Sequence, residues 1–422
     1  MNSKLSRVFY GWWVVGAGFL IWLLMGGFVI FGFTAFFEPI ANEFGWSYAQ
    51  ISFAASLRGM ESGILAPLLG LIVDRWGPRR LMFGGILILG VSLALLSLTT
   101  SLVMFYIIFA LVAIGLSGNS PTVAMTAVAN WFRKKVGIAT GIMSCGIALS
   151  GLLIPLVVKL IDVFEWRTAI FILGITILVI CLPLSLLVRH KPEKYGYLPD
   201  GEQINSAIHR ESPVLSQTGE VDSGVKQALK SRAFWHIGLA TAFQFLASSA
   251  VFTHVMPYLS SVGIARSTSS LVVMGTPIIS IVGRLGSGWL SDRLNRRLVV
   301  AGCLTSSCLG ILFFSYTTNE EMGLLIPFVV LFGIGWGGIG TMRAVLMRAY
   351  FGRSNFGTIL GFIMAMQAIG NIIGPLFAGW VFDSWGSYNT AWLVFAFTLF
   401  AGIIIIVTMP PVRTNLQVPD NT

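Results

Sequence analysis

The sequence predicts an all-α integral membrane protein with twelve transmembrane helices arranged as two six-helix repeats. The first observation is composition, because 55% of the 422 residues are hydrophobic, only 10% are charged, and the mean hydropathy is +0.83. The second is that apolar segments of about 20 residues or more recur along the chain. The third is that basic residues cluster on alternate loops. A soluble chain of this length needs far more polar surface, so its partner is a lipid bilayer.

Each predicted helix corresponds to one apolar segment that is long enough to cross the hydrocarbon core. The segments are 10–37, 47–73, 81–100, 102–129, 136–158, 168–188, 234–259, 267–289, 299–316, 323–347, 356–382 and 390–409.

Loop charges predict the orientation of these helices. One side carries nearly all the basic residues, namely Lys4, Arg7, Arg75, Arg79, Arg80, Arg133, Lys134, Lys135, Arg293, Arg296, Arg297, Arg348, Arg353 and Arg413. The other side carries Lys159, Arg167 and Arg266. By the positive-inside rule both termini are cytoplasmic, and we expect a multi-pass protein of the inner or plasma membrane. The net charge of +10 therefore reflects topology and does not indicate nucleic acid as a partner.

The composition divides the chain into a six-helix bundle at 1–189, a cytoplasmic linker at 190–232 and a second bundle at 233–422. The linker is polar, with scattered proline, glycine and serine, and carries one possible interfacial helix at 225–231. The bundles repeat each other, since the turn from Gly70 to Arg80 returns from Gly288 to Arg297 at an offset of 218 residues, the difference between 70 and 288. Parallel repeats of this kind occur in transporters that rock around a midplane site.

The two turns and the spans resemble the major facilitator superfamily over nearly the whole chain. Three finer features are similar to the monocarboxylate transporter family: Gly11-Trp12-Trp13 at the first span, Trp131-Phe132-Arg133-Lys134-Lys135 before the fifth, and Arg284 eight residues before Asp292. The arginine position also resembles that of oxalate:formate antiporters. Ser280 stands where monocarboxylate transporters often carry an aspartate, Phe31 where animal members carry a lysine, and Gln367 where oxalate exchangers carry one.

Arg284 is the first candidate for substrate binding. It lies eight residues inside the predicted cytoplasmic end of its helix, or about 12 Å at 1.5 Å per residue, close to the middle of the hydrocarbon core. A charge at that depth faces the protein interior and marks a function, and a planar guanidinium grips a carboxylate through two parallel hydrogen bonds. The alternative is an arginine that caps helix carbonyls or pairs internally.

Proton coupling has two candidates. Glu61 lies three residues after Arg58, on one face of the second span, and is the first candidate proton carrier. The alternative is a self-neutralising ion pair, and Arg58 is also a candidate anion contact. His254, near the outer end of the seventh span, is the second candidate because histidine titrates near neutrality. A hydrogen-bonded structural histidine is the other interpretation.

The remaining candidates are polar residues inside spans and charged residues in the repeated turns. Asn119, Gln367 and Asn371 are weaker candidates for substrate binding, with hydrogen bonding between helices as the alternative. Arg343 is predicted to reach the headgroups by snorkelling, or to close a cytoplasmic gate. The resemblance implies a gating charge network at the cytoplasmic face, formed by Asp74, Arg75, Arg80, Asp292, Arg293 and Arg297.

Nucleotide-binding, metal-binding and serine-hydrolase motifs are absent from the sequence, so we expect neither an enzyme nor a cofactor. We predict a monomeric secondary active transporter of small organic anions, a proton-coupled monocarboxylate symporter that works by alternating access. The alternatives are a carboxylate:carboxylate antiporter and an exporter of larger amphipathic compounds. Which carboxylate is carried, and in which direction, is not encoded in these motifs.

Overall fold

The structure is a computed structural model that describes residues 9–60, 72, 76–132, 135–189, 225–351 and 356–410. Within these ranges the chain is helical and contains no β-strand. The helices are α1 Gly11–Met25, α2 Phe33–Phe44, α3 Tyr48–Met60, α4 Pro78–Leu96, α5 Leu102–Ser117, α6 Pro121–Trp131, α7 Val136–Leu149, α8 Ile154–Thr176, α9 Leu182–Leu187, α10 Val225–Lys230, α11 Arg232–Ser261, α12 Arg266–Ser291, α13 Arg296–Ser315, α14 Leu325–Phe351, α15 Phe356–Trp385 and α16 Asn389–Val407. A π-helical segment, Gly26–Ile30, joins α1 to α2.

The prediction of an all-α membrane fold is confirmed. Nine helical segments in the described part of the chain are long and apolar enough to cross a bilayer, and α5 is a shorter apolar helix. The total of twelve spans stays a prediction, because residues 61–71 and 73 of the second span lie outside the described ranges. The domain boundaries at 189 and 233 also stay predictions.

Three predicted spans differ from the observed helices. The fourth is interrupted at Gly118, Asn119 and Ser120, since Pro121 starts a new helix, and proline is favoured at a helix start. The fifth and sixth are two helices that meet at a sharp turn at Glu165, whose φ is 63°, with helical residues directly on both sides of it. The predicted gap at 159–167 is thus far too wide.

Large apolar side chains cover the outside of the helix bundle. Leu285, Ile326 and Phe397 are each 71% exposed, and Val103 is 68% exposed. Water would make such a surface costly, whereas lipid tails solvate it. These side chains therefore lie on the surface that a bilayer covers.

Contacts join the N-terminal half (residues 9–189) to the C-terminal half (residues 225–410). Helix α3 packs against α15, α2 against α11, and α12 against both α7 and α8. We call the end with the turns at 45–47, 262–265 and 386–388 the predicted outer end, and the end with the turn at 292–295 the predicted cytoplasmic end. At the former, Gly45, Gly263 and Gly386 follow helices with φ of 66°, 82° and 65°, a conformation that strains other residues.

Candidate functional site

Close contact between α12 and α14 sets the position of Arg284. A Cβ atom added to Gly283 would lie less than 3.0 Å from the carbonyl oxygen of Ile334, and one added to Gly337 equally close to that of Ser280. Only glycine allows two helix backbones to approach so far. The contact places Arg284, the residue after Gly283, beside Trp336, the residue before Gly337.

The Arg284 guanidinium is half-buried and has no anionic partner in the described chain. Its central carbon lies 5.5 Å from the centroid of the Trp336 ring, a cation–π contact. Its Nε atom is buried and makes no hydrogen bond. A buried N–H of a charged group is costly to leave unpaired, so the site is poised to receive an acceptor.

An aromatic cluster flanks this guanidinium. The ring of Phe252 lies 4.9 Å from that of Trp336 and 4.9 Å from that of Phe31, and the rings of Phe31 and Trp336 are 6.1 Å apart. Phe31 directly follows the π-helical segment Gly26–Ile30, and such segments occur often at functional sites. Phe31, which the resemblance sets in place of the animal lysine, thus packs against the ring that contacts the arginine, and it makes this side of the site apolar.

The N-terminal half also reaches Arg284. The thiol of Cys145, on α7, is half-buried and lies close enough for the two groups to interact electrostatically. This thiol is therefore a natural reporter of events at the arginine.

The snorkelling prediction for Arg343 is wrong. Its Nη1 atom donates a hydrogen bond of 2.6 Å to Oε1 of Gln367, and its Nε atom is buried without a partner. The positive charges of Arg343 and Arg284 act on each other. Glycine packing keeps α14 inside the bundle, so this side chain points to the protein interior rather than to the headgroups.

No carboxylate in the described ranges lies at the same depth as Arg284 and Arg343, measured along the helix axes. Seven of the eight described acids lie at the predicted outer end or within about two turns of it, and Asp292 lies in an exposed turn eight residues, or about 12 Å, beyond Arg284. The eight are Glu38, Glu43, Asp162, Glu165, Asp292, Glu320, Glu321 and Asp383. Two ion pairs, Arg167 with Glu43 at 2.7 Å and Arg266 with Asp162 at 3.7 Å, are at the predicted outer end.

The weaker substrate candidates separate into two groups. Gln367 is buried on α15 beside Arg343, and Asn371 follows it by one turn and is half-buried. Asn119 is buried where α5 gives way to α6, its carbonyl accepts a hydrogen bond from Nε1 of Trp22, and its Oδ1 has no partner. Its observed bonds all lie within the N-terminal half. The side chain of Arg58, and all of Glu61, lie outside the described part.

His254 is fully buried at the predicted outer end, where it joins both halves. Its Nε2 atom lies 2.9 Å from Oγ of Ser52 and 2.9 Å from the carbonyl oxygen of Pro375, and its Nδ1 atom lies 2.9 Å from the hydroxyl of Tyr388. The Pro375 carbonyl can only accept, and the Ser52 hydroxyl donates to the carbonyl of Tyr48, so both oxygens share the Nε2–H of His254, and Tyr388 donates to Nδ1. This assigned network is complete with a neutral ring.

Asp383 also joins the two halves at the predicted outer end, a role that the sequence did not predict. Its carboxylate accepts hydrogen bonds of 2.9 Å from N–H of Tyr48 and 2.7 Å from N–H of Ala49, the first residues of α3 in the other half. A carboxylate at a helix N-terminus satisfies free N–H groups and complements the helix dipole. A signal was available, because Val381-Phe382-Asp383 repeats Val163-Phe164-Glu165 at the same offset of 218 residues.

Known protein families resemble this chain over most of its length. The sequence pattern of the Major Facilitator Superfamily matches residues 17–343 and, in a second match, residues 239–421. The chain belongs to the Major Facilitator Superfamily. Its relatives in that superfamily are membrane transporters and not enzymes, as predicted.

Several relatives carry the name monocarboxylate transporter. Monocarboxylate transporter 12 of Xenopus laevis is 28% identical over 420 residues, covering 94% of this chain and 88% of that protein. The protein of the same name from Rattus norvegicus is 26% identical, covering 94% and 85%. Monocarboxylate transporter 4 of Rattus norvegicus is 24% identical, covering 88% and 79%. The predicted family resemblance is confirmed.

Solved structures confirm the fold. A bacterial homologue of the human lysosomal transporter Spinster, in an inward-facing and occupied conformation, matches with a TM-score of 0.71 and 17% identity over 96% of both chains. The nucleoside transporter NupG matches with a TM-score of 0.72 and 14% identity, covering 95% of this chain and 100% of that one. At these identities the likeness concerns the fold alone.

The repeated turns of the superfamily are only partly described. In the second turn, the Arg293 guanidinium lies 4.1 Å from the centroid of the Trp289 ring, Arg297 donates to the carbonyl of Met409, and Asp292 is exposed. In the first turn, Arg80 is exposed, whereas Asp74 and Arg75 lie outside the described ranges. The gating network between them therefore stays a prediction.

Proposed function

We propose that this member of the superfamily is a secondary active transporter of small organic anions, and that Arg284 binds the carboxylate of the cargo. The observation that carries the proposal is the Arg284 guanidinium, half-buried between α12 and the Trp336 ring with its Nε unpaired and no acid of the described residues beside it. Such a cation gains most from an anionic guest.

A carboxylate with a short carbon chain suits the surroundings of this guanidinium. Arginine offers two parallel N–H groups to the two carboxylate oxygens, and the low dielectric strengthens that pair. The rings of Phe31, Phe252 and Trp336 supply apolar contact for the carbon chain. The names of the relatives make a monocarboxylate the first cargo to test.

Proton coupling and alternating access complete the proposal. Glu61 is the first candidate proton carrier and His254 the second, so that the loaded carrier reorients with compensated charge. The bonds of His254 and Asp383 between the halves fit a state that is closed at the predicted outer end. Both termini would then be cytoplasmic, the membrane the inner or plasma membrane, and the working unit a monomer.

Transport in liposomes tests the carboxylate assignment. The purified protein, Arg284→Ala, Arg284→Lys and the exposed control Arg296→Ala are challenged with radiolabelled carboxylates, with and without an inward proton gradient. We expect saturable uptake by the parent and by Arg296→Ala, a lower kcat/KM in Arg284→Lys, and a loss of about 100-fold in Arg284→Ala, because hydrogen bonds to charged groups contribute about 1.5–3 kcal/mol each. Unchanged uptake of the best carboxylate by Arg284→Ala contradicts the proposal.

The proton gradient and a counterflow arm separate symport from exchange. For a symporter we expect the gradient to raise the initial rate and internal anion to be unnecessary. Uptake that requires internal carboxylate and ignores pH would establish an antiporter instead, and flux of larger amphipathic compounds alone would establish the exporter.

A further inference from the structure

Three buried N–H donors without partners lie in the halves of α12, α14 and α15 nearer the predicted cytoplasmic end, whereas the unpaired Nε of Arg266 is at the outer start of α12. The three are Nε of Arg284, Nε of Arg343 and Nε2 of Gln367. Gln367 is only 3% exposed, so water does not compensate its amide. Unpaired buried donors are rare in folded proteins, and each one calls for a missing acceptor. Three donors with two positive charges indicate an acceptor of negative charge.

The two guanidiniums lie at similar depth. Arg284 is seven residues before Ser291, where α12 ends, and Arg343 is eight residues before Phe351, where α14 ends. Both helices run in the same direction, so at 1.5 Å per residue both arginines are about 10 to 12 Å from the predicted cytoplasmic end. The backbones of α12 and α14 are in contact at Gly283 and Gly337, and the two charges are close enough to act on each other. Both guanidiniums therefore lie in the same region of the bundle.

Charge balance sets the chemistry of that anion. Two like charges in a poorly hydrated interior repel each other, and no described carboxylate compensates them. A monocarboxylate cancels one of the two charges. A dianion cancels both, and it gives an acceptor to each guanidinium.

We infer that Arg343 is a second anion contact of the substrate site, so that a short dicarboxylate binds with one carboxylate on Arg284 and the other on Arg343. The inference rests on the proposed role of Arg284. It does not exclude monocarboxylate transport, but it makes a dicarboxylate the tighter cargo. Gln367 is a positioning residue, since its Oε1 holds Nη1 of Arg343 at 2.6 Å and leaves the Nε edge free.

Matched acids of equal chain length test the inference. Uptake of malonate is compared with propionate, and of succinate with butyrate, in liposomes at a pH where the dicarboxylates are doubly ionised. The readout is the ratio of kcat/KM for the dicarboxylate to that for the monocarboxylate. The variants are Arg343→Gln, Arg343→Lys and Gln367→Ala, with Arg348→Gln as the control, because Arg348 is an exposed arginine of the same helix.

We expect the parent and Arg348→Gln to favour the dicarboxylate about tenfold or more, the change that about 1.4 kcal/mol produces. Arg343→Gln abolishes this preference, Arg343→Lys keeps part of it, and Gln367→Ala lowers it. Should Arg343→Gln fail to fold, Arg343→Lys and Gln367→Ala provide the same test, since each should show a smaller dicarboxylate preference than the parent.

Failure of the inference and failure of the proposed function look different. Uptake of monocarboxylates with no dicarboxylate preference, or an equal preference in the parent and Arg343→Gln, overturns the second contact and leaves the carboxylate role of Arg284 in place. Absence of carboxylate uptake in the parent overturns both. Loss of both cargoes in Arg284→Ala, with loss of preference alone in Arg343→Gln, supports both.

Discussion

Asp383→Ala should open the predicted outer end of the protein. The carboxylate holds N–H of Tyr48 at 2.9 Å and N–H of Ala49 at 2.7 Å, across the boundary between the halves. Removal of a helix cap costs about 0.5–2 kcal/mol, and loss of the charge at the helix dipole about 0.3–1 kcal/mol. Because Asp383 is exposed, we take about 1–2 kcal/mol in total, which raises the open population about 5- to 30-fold.

Spin-label distances measure that population. Labels at Asn42 and Ser387, which are both exposed and belong to different halves, report the gap at the predicted outer end. We expect a longer distance to gain weight in Asp383→Ala, and less so in Asp383→Asn, whose amide oxygen still accepts one hydrogen bond. An unchanged distance distribution in Asp383→Ala would refute the idea that this carboxylate holds the halves together.

Two further predictions concern packing and proton coupling. Gly337→Ala should lower both the thermal stability and the uptake rate, because its Cβ would collide with the backbone of α12. Gly286→Ala is the control, because a Cβ at Gly286 has open space and should change neither quantity. Equal effects of the two variants on the melting temperature and on uptake would contradict the packing argument. His254→Gln should keep the stimulation of uptake by an inward proton gradient, because the histidine network is complete in the neutral form, and Glu61→Gln should abolish it. The reverse pattern in gradient-driven flux would make His254 the proton carrier.

The parts that the sequence predicts well depend on local signals. Apolar runs locate the helices, since the bilayer fixes their length and polarity. Arg284 stands out because a cation in such a run is rare on any single helix. The turns that begin at Gly70 and Gly288 predict the fold, because their motif recurs at a fixed offset in both halves.

The parts that were missed depend on contacts between helices distant in sequence. Arg343 and Gln367 are 24 residues apart and on different helices, so neither run of sequence shows that they bond. Asp383 meets Tyr48 across more than 300 residues, at a separation of 335. Hydropathy predicts how deep in the membrane a residue lies. It does not predict how the helix is rotated about its axis, and that rotation decides whether an arginine faces the headgroups or the interior.

Alkylation of Cys145 tests the role of Arg284 most directly. This half-buried thiol lies within electrostatic range of the guanidinium, whereas Cys181, Cys303 and Cys308 are buried, so maleimide should react first at Cys145. We predict that propionate slows this reaction, that the uncharged propionamide does not, and that Arg284→Ala removes the protection by propionate. Equal protection by propionate in the parent and in Arg284→Ala would show that the carboxylate binds elsewhere.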